Sequence, residues 1–154
     1  MKKATTCLTF VLLAFAVALS PKVEAQKHTK LKTGAEKAPD AVKQSFQHYF
    51  PDATDVKWQK LPGSNWLASF HPNSSEVNAE FTQQGEWVAT RTNLLATQLP
   101  DTVIRSIQTQ FPSVTVKDAI RIERSDIPGY YRIDVNDAGA DKTLLANDNG
   151  TITE

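Results

Sequence analysis

The sequence predicts an α+β protein. It reads as a tandem repeat of a helix plus a four-stranded antiparallel meander, with the helices packed on one face of the sheet. Three observations predict this. The stretch PDAVKQSFQHYFP at residues 39–51 returns as PDTVIRSIQTQFP at 100–112. Short runs of alternating apolar and polar residues follow each copy. Turn residues punctuate both sets of runs, with Gly85 and Gly150 in corresponding places.

The helix opens each unit. Pro39-Asp40 and Pro100-Asp101 read as starts, with the aspartate as N-cap, its carboxylate accepting the amide hydrogens of the first turn. Val42, Phe46, Tyr49 and Phe50 fall on one apolar stripe, and Val103, Ile104, Ile107 and Phe111 repeat it. Phe-Pro ends each copy, because proline lacks the amide and biases its predecessor away from helix. Helices of about three turns are marginal alone, so each needs a surface to pack on.

Strands follow. Val56 to Lys60 alternate, residues 61–65 turn, and Trp66, Ala68 and Phe70 alternate with polar neighbours. After a loop at 71–75, Val77, Ala79 and Phe81 alternate, Gly85 marks a turn, and 87–90 make a fourth strand. Residues 91–99 read as a connection. In the second unit Ala119 to Arg124 read as a strand with Ile120 and Ile122 facing the core. Tyr131, Ile133 and Val135 make the next, Leu144 and Leu145 the third, and Asp148-Asn149-Gly150 a hairpin into 151–153. Each unit is small for a core of its own, so the two should share one sheet.

The start of the chain reads differently. Lys2 and Lys3, an apolar run from Leu8 to Leu19, and small residues at Val23 and Ala25 describe a secretory signal peptide at 1–25. The run is too short to span a bilayer comfortably, so no stable membrane anchor is expected after cleavage. Residues 26–38 are polar and read as a flexible leader, 39–99 as the first repeat and 100–154 as the second. Cleavage leaves 129 residues with 14 basic and 16 acidic side chains, which argues against nucleic acid as a partner. It also removes the single cysteine, Cys7, so the mature chain has no disulfide and no thiol nucleophile.

Little in the chain speaks of chemistry. His28, His48 and His71 stand at no metal-binding spacing, and no nucleophile elbow or phosphate loop is present. No enzyme activity, cofactor or metal site is therefore expected. Residues 134–141 echo a calcium loop but place Leu145 where a bidentate glutamate is needed, so they read as a turn. Trp58, Trp66 and Trp87 alternate in step with apolar neighbours and read mostly as core.

The candidate site is the sheet face away from the helices. Parity sends Lys57, Gln59, Ser69, His71, Asn78, Glu80, Arg121, Glu123, Tyr130 and Arg132 to that side. Arginine and tyrosine are common interface anchors. The expected function is an exported, non-enzymatic binding module of the cell envelope that captures a protein or peptide through this face. The alternative is a periplasmic small-ligand or ion sensor using loops such as 134–141.

The segments FPDATDVKW, W-x-A-x-F, AEF-x-x-x-GEWV and YYRI, in these positions, resemble the PepSY-like family over residues 38–154. The resemblance implies a periplasmic or secreted protein, found largely in the Bacteroidota, without an established activity. That family is described as similar to the beta-lactamase inhibitory protein, which binds its enzyme on the concave face of its sheet. Fold likeness does not carry that partner across. The inhibitor also relies on disulfides, which this chain cannot form.

Overall fold

The computed structural model describes residues 37–154. The expected signal peptide, and all but two residues of the expected leader, lie outside the described residues.

Helix α1 (Asp40–Tyr49) is followed by β1 (Lys57–Lys60), β2 (Trp66–Phe70), β3 (Val77–Phe81) and β4 (Trp87–Leu94). Helix α2 (Asp101–Gln110) is followed by β5 (Val114–Arg124), β6 (Tyr130–Asp137), β7 (Ala140–Ala146) and β8 (Ile152–Thr153). The eight strands form one antiparallel sheet in chain order. No described helix is long and apolar enough to cross a membrane. Strands β4 and β5 are longer than their local alternation suggests. The extra residues of β4, 91–94, pair with Ile122 to Ala119 of β5 and so join the two halves into one sheet, while those of β5, 114–118, pair with β6.

The helices begin one residue earlier than the sequence suggests. Pro39 and Pro100 are the N-caps, and neither helix has a side-chain cap bond. Proline holds the extended backbone that a cap position needs, so Asp40 and Asp101 become the first helical residues. There their charge acts on the helix dipole rather than on one amide. Phe50 and Phe111 end the helices with the same φ of −134°, each donating its N–H at 2.8 Å to the carbonyl of Phe46 or Ile107. That extended backbone is what the following proline favours.

Two apolar clusters form the core. Val42 and Phe46 of α1 are buried with Ala38, Trp66, Ala68, Phe70, Val77, Ala79 and Phe81. Ala38, expected at the end of the flexible leader, is therefore core. The Phe46 ring meets those of Trp58, Phe70 and Phe81 edge-on. Among the tryptophans only Trp66 is fully buried, while Trp58 and Trp87 are half-buried against the cluster. Val103 and Ile107 of α2 are buried with Leu99, Ala119, Tyr131, Ile133, Val135, Leu144 and Ala146.

Register decides which residues share a face. Phe70, Val77, Thr92, Arg121, Tyr131 and Ala146 are successive cross-strand partners, so they lie on one side, the inner face, which carries both clusters. Lys57, Ser69, Asn78, Arg91, Ile122 and Tyr130 are likewise successive partners on the outer face.

A β-bulge in β5 corrects the parity expected from the sequence. Val116 pairs with Val135 and Asp118 with Asp134, which leaves Lys117 as an extra residue. One inserted residue exchanges the faces of every side chain beyond it. Val116 and Ala119 are thus both inward, Ile120 and Ile122 turn outward, and Arg121 and Glu123 turn inward.

Candidate functional site: the outer sheet face

The bulge gives the outer face an apolar centre. Asn93, Ile120, Arg132 and Leu145 are successive partners in one row, and Arg91, Ile122 and Tyr130 in the next. Ile120, Ile122 and Tyr130 are half-buried and Leu145 is 40 % exposed. The rim of this patch is charged and already ordered. Arg91 lies 3.4 Å from Glu80, whose other oxygen accepts the Asn65 amide at 2.8 Å. Arg132 lies 3.1 Å from Asp134, which also accepts the Thr143 hydroxyl at 2.6 Å. The Nε of Arg132 is buried and has no hydrogen-bond partner among the described residues. Arg124 donates two bonds of 2.8 Å to Asp126. The hydrogen bond from Arg124 holds the Asp126 carboxyl below the usual carboxylate range, and the same bond raises Arg124. The Ser69 hydroxyl donates to Asn78 at 2.6 Å.

Seven of the ten residues singled out from the sequence share this face: Lys57, Gln59, Ser69, Asn78, Glu80, Tyr130 and Arg132. His71 does not; it lies past the end of β2, exposed. Arg121 and Glu123 do not either, because of the bulge. Arg121 is a clasp on the inner side. It grips Asp148 with two bonds, at 2.7 and 3.2 Å, and stacks 4.6 Å from the Tyr131 ring centre. The Tyr131 hydroxyl donates to the same carboxylate at 3.0 Å. Burial first, and then this bond, push the Tyr131 phenol above its ordinary range. Arg91, Ile120, Ile122 and Leu145 are members of the outer face that sequence reasoning missed.

The loop with the calcium-like spacing is a hairpin turn. Gly139 donates its N–H to Asn136 Oδ1 at 3.0 Å, and Asn136 donates to Asp141 at 2.8 Å. A pocket of about 370 Å³ beside it is lined by Lys117, Asp118, Asp134 and Asp141 among others. Within it Lys117 lies 2.8 Å from Asp141, while Asp134 and Lys142 pair with Arg132 and Asp137 beside it. That bond, with the one from Asn136, holds the Asp141 carboxyl low. No cluster of His, Cys, Asp and Glu suited to a metal ion occurs among the described residues.

Residues 68–154 match the family described as "Putative beta-lactamase-inhibitor-like, PepSY-like". The chain belongs to this family. The match takes in most of β2 and everything after it, so it contains the whole outer-face patch. This PepSY-like chain is also similar to three solved structures from Bacteroides. A BLIP-like protein from Bacteroides fragilis superposes with a TM-score of 0.70 at 22 % identity, covering 79 % of this chain and 87 % of that one. A DUF2874 family protein from Bacteroides ovatus gives 0.68 at 23 % identity, covering 77 % and 86 %. A protein of Bacteroides eggerthii described among "putative periplasmic proteins" gives 0.66 at 20 % identity, covering 77 % and 88 %. At such identities the likeness shows the fold. No curated protein matches the chain.

Proposed function

We propose that this PepSY-like chain is a non-enzymatic binding module that works in the periplasm or outside the cell and captures a protein or peptide through its outer sheet face. The observation that carries this reading is the bulge at Lys117. It places Ile120 and Ile122 beside Tyr130 and Leu145 on the outer side, between Arg91 and Arg132. An apolar centre with tyrosine and arginine inside a polar rim is the composition of an interface hot spot. Export is supported by the basic start and short apolar run of residues 1–25, and by the description of the Bacteroides eggerthii neighbour. The sensor reading has the pocket beside 134–141 in its favour, but Lys117, Asp134, Asp141 and Lys142 there are already held in ion pairs, so capture by the sheet carries more.

The same proposal takes the two halves as tandem copies with both helices over the inner face. Matching glycines support it. A Cβ on Gly85 would lie 2.7 Å from the Ala41 carbonyl and 3.0 Å from Ser45 Oγ; on Gly150 it would lie 2.8 Å from the Thr102 carbonyl and 2.7 Å from Ser106 Oγ. Ala41 and Thr102, and Ser45 and Ser106, hold the same places in the repeated stretch.

The test is a crosslinking pull-down from envelope extract with the exported chain and with an Ile122→Glu/Arg132→Glu variant, both shown folded by circular dichroism. Glutamate at 122 would sit opposite Arg91, so the fold should tolerate it. A protein recovered by the first and lost with the second is the expected result. Equal recovery by both, or recovery by neither, would remove the outer face from consideration.

A further inference from the structure

A second pocket, of about 280 Å³, opens where α1 ends, away from the outer-face patch. Its walls are aromatic: Tyr49, Phe50 and Phe70, with the Phe50 and Phe70 rings 5.0 Å apart and Tyr49 51 % exposed. Asp52, Thr54 and His71, all exposed, supply polar groups at its rim.

The other half of the chain has the same helix end, but there the residues after it enter the sheet directly. Val114, Thr115 and Val116 pair with Asp137, Asn136 and Val135, and Lys142 lies 5.5 Å over the Phe111 ring. Ala53, Thr54 and Asp55 stand at the corresponding positions of the first half, yet its sheet pairing begins only at Lys57 with Ser69. The two loops beside the opening are also held in unfavourable backbone. Asp55, Asn73 and Ser74 have φ of +53°, +50° and +68°, three of the five non-glycine residues with positive φ among those described. Such strain costs stability, and it concentrates where a site needs a fixed shape.

We propose that this pocket is a binding site for a small planar aromatic molecule, one or two fused rings wide, with a hydrogen-bonding substituent. The volume lies just below the range for drug-sized ligands, which sets the size. Three aromatic walls favour a ring, stacked or edge-on. The rim groups give the substituent its partners.

Amide chemical-shift titrations test this, with indole and phenol as free rings and the tripeptide Gly-Tyr-Gly as a ring carried by a peptide. Saturable shifts confined to residues 49–54 and 70–72 are expected with the free rings. Tyr49→Ala should weaken binding about tenfold, with only a modest fall in melting temperature from its lost ring contacts to Phe50, Phe81 and Trp87. Thr54→Trp, which places the chain's own ring at the rim, should block it. Shifts with the tripeptide alone would assign the pocket to peptide recognition and overturn the small-molecule proposal. Absence of shifts with every probe, shifts unaffected by both variants, or equal shifts at residues 110–116 would overturn it too. None of these outcomes depends on what the outer face captures.

Discussion

Replacing Gly150 with alanine examines how closely the last hairpin approaches α2. Gly150 has φ of +85°, a conformation that costs an L-residue about 1–2 kcal/mol. The new Cβ would also lie 2.8 Å from the Thr102 carbonyl oxygen. That atom belongs to the first turn of a helix and cannot swing aside as a side chain would. Relief requires the hairpin or the helix to move, and the Thr102 hydroxyl then loses its 3.0 Å bond to the Asp148 carbonyl. Overpacking of this kind costs a further ~1–3 kcal/mol, for a total of about 2–5 kcal/mol. Gly139→Ala isolates the first contribution. Its φ is +95°, but its Cβ would meet nothing within 4 Å, so only the conformational cost of about 1–2 kcal/mol applies. Urea denaturation followed by far-ultraviolet circular dichroism, which reports both halves, gives both values, provided the slopes agree. Equal losses at 139 and 150 would refute the close approach. Gly85→Ala, 2.7 Å from the Ala41 carbonyl, should behave like Gly150→Ala if the halves are built alike.

Other outcomes follow from single residues. Leu144 is wholly buried in the second cluster, and Leu144→Ala should cost about 2–5 kcal/mol in the same denaturation assay. The Tyr131 phenol is raised, so the stability it contributes is complete below its ordinary value near pH 10 and drains as pH rises through its folded value. Tyr131→Phe should flatten that alkaline decline in melting temperature. The Asp141 carboxyl is lowered, chiefly by Lys117, so its contribution is complete above the usual carboxylate range and is lost as pH falls through its folded value. In a carboxyl NMR titration, Lys117→Met should move the Asp141 midpoint upward; an unmoved midpoint would deny the bond.

Much of this architecture is legible in the sequence because local rules decide it. The apolar stripes, the Phe-Pro stops and the turn glycines place both helices and all eight strands. The helix starts are off by one residue because proline and aspartate compete for the same position, and proline's fixed backbone prevails. The lengths of β4 and β5 were hidden because their added residues are held by cross-strand pairing, 91–94 by β5 and 114–118 by β6. The outer face was read in the wrong phase beyond Lys117 for a similar reason. Val114, Val116, Ile120 and Ile122 keep one parity on either side of Asp118, and a two-residue period carried across that gap hides the bulge. One signal was present. Carrying the spacing of the repeated helix onward sets Ala119 against Trp58, an inward residue, and so sends Ile120 outward. The pocket at the end of α1 had no comparable signal, since it depends on where pairing between 53–56 and β2 stops.

The sheet is continuous, but its apolar material is not. Between the two clusters the inner face of β4 and β5 carries Thr90, Thr92, Arg121 and Glu123, so the halves are joined mainly by a ladder of backbone hydrogen bonds. Opening one half exposes its own rings and leaves the other's covered. The chain should therefore open as two cooperative units with a hydrogen-bonded seam, and amide exchange should fall into two blocks with their own protection. Arg91 and Ile122 face each other across that seam on the outer side. A partner resting on both would close the seam and couple the opening of one block to the other.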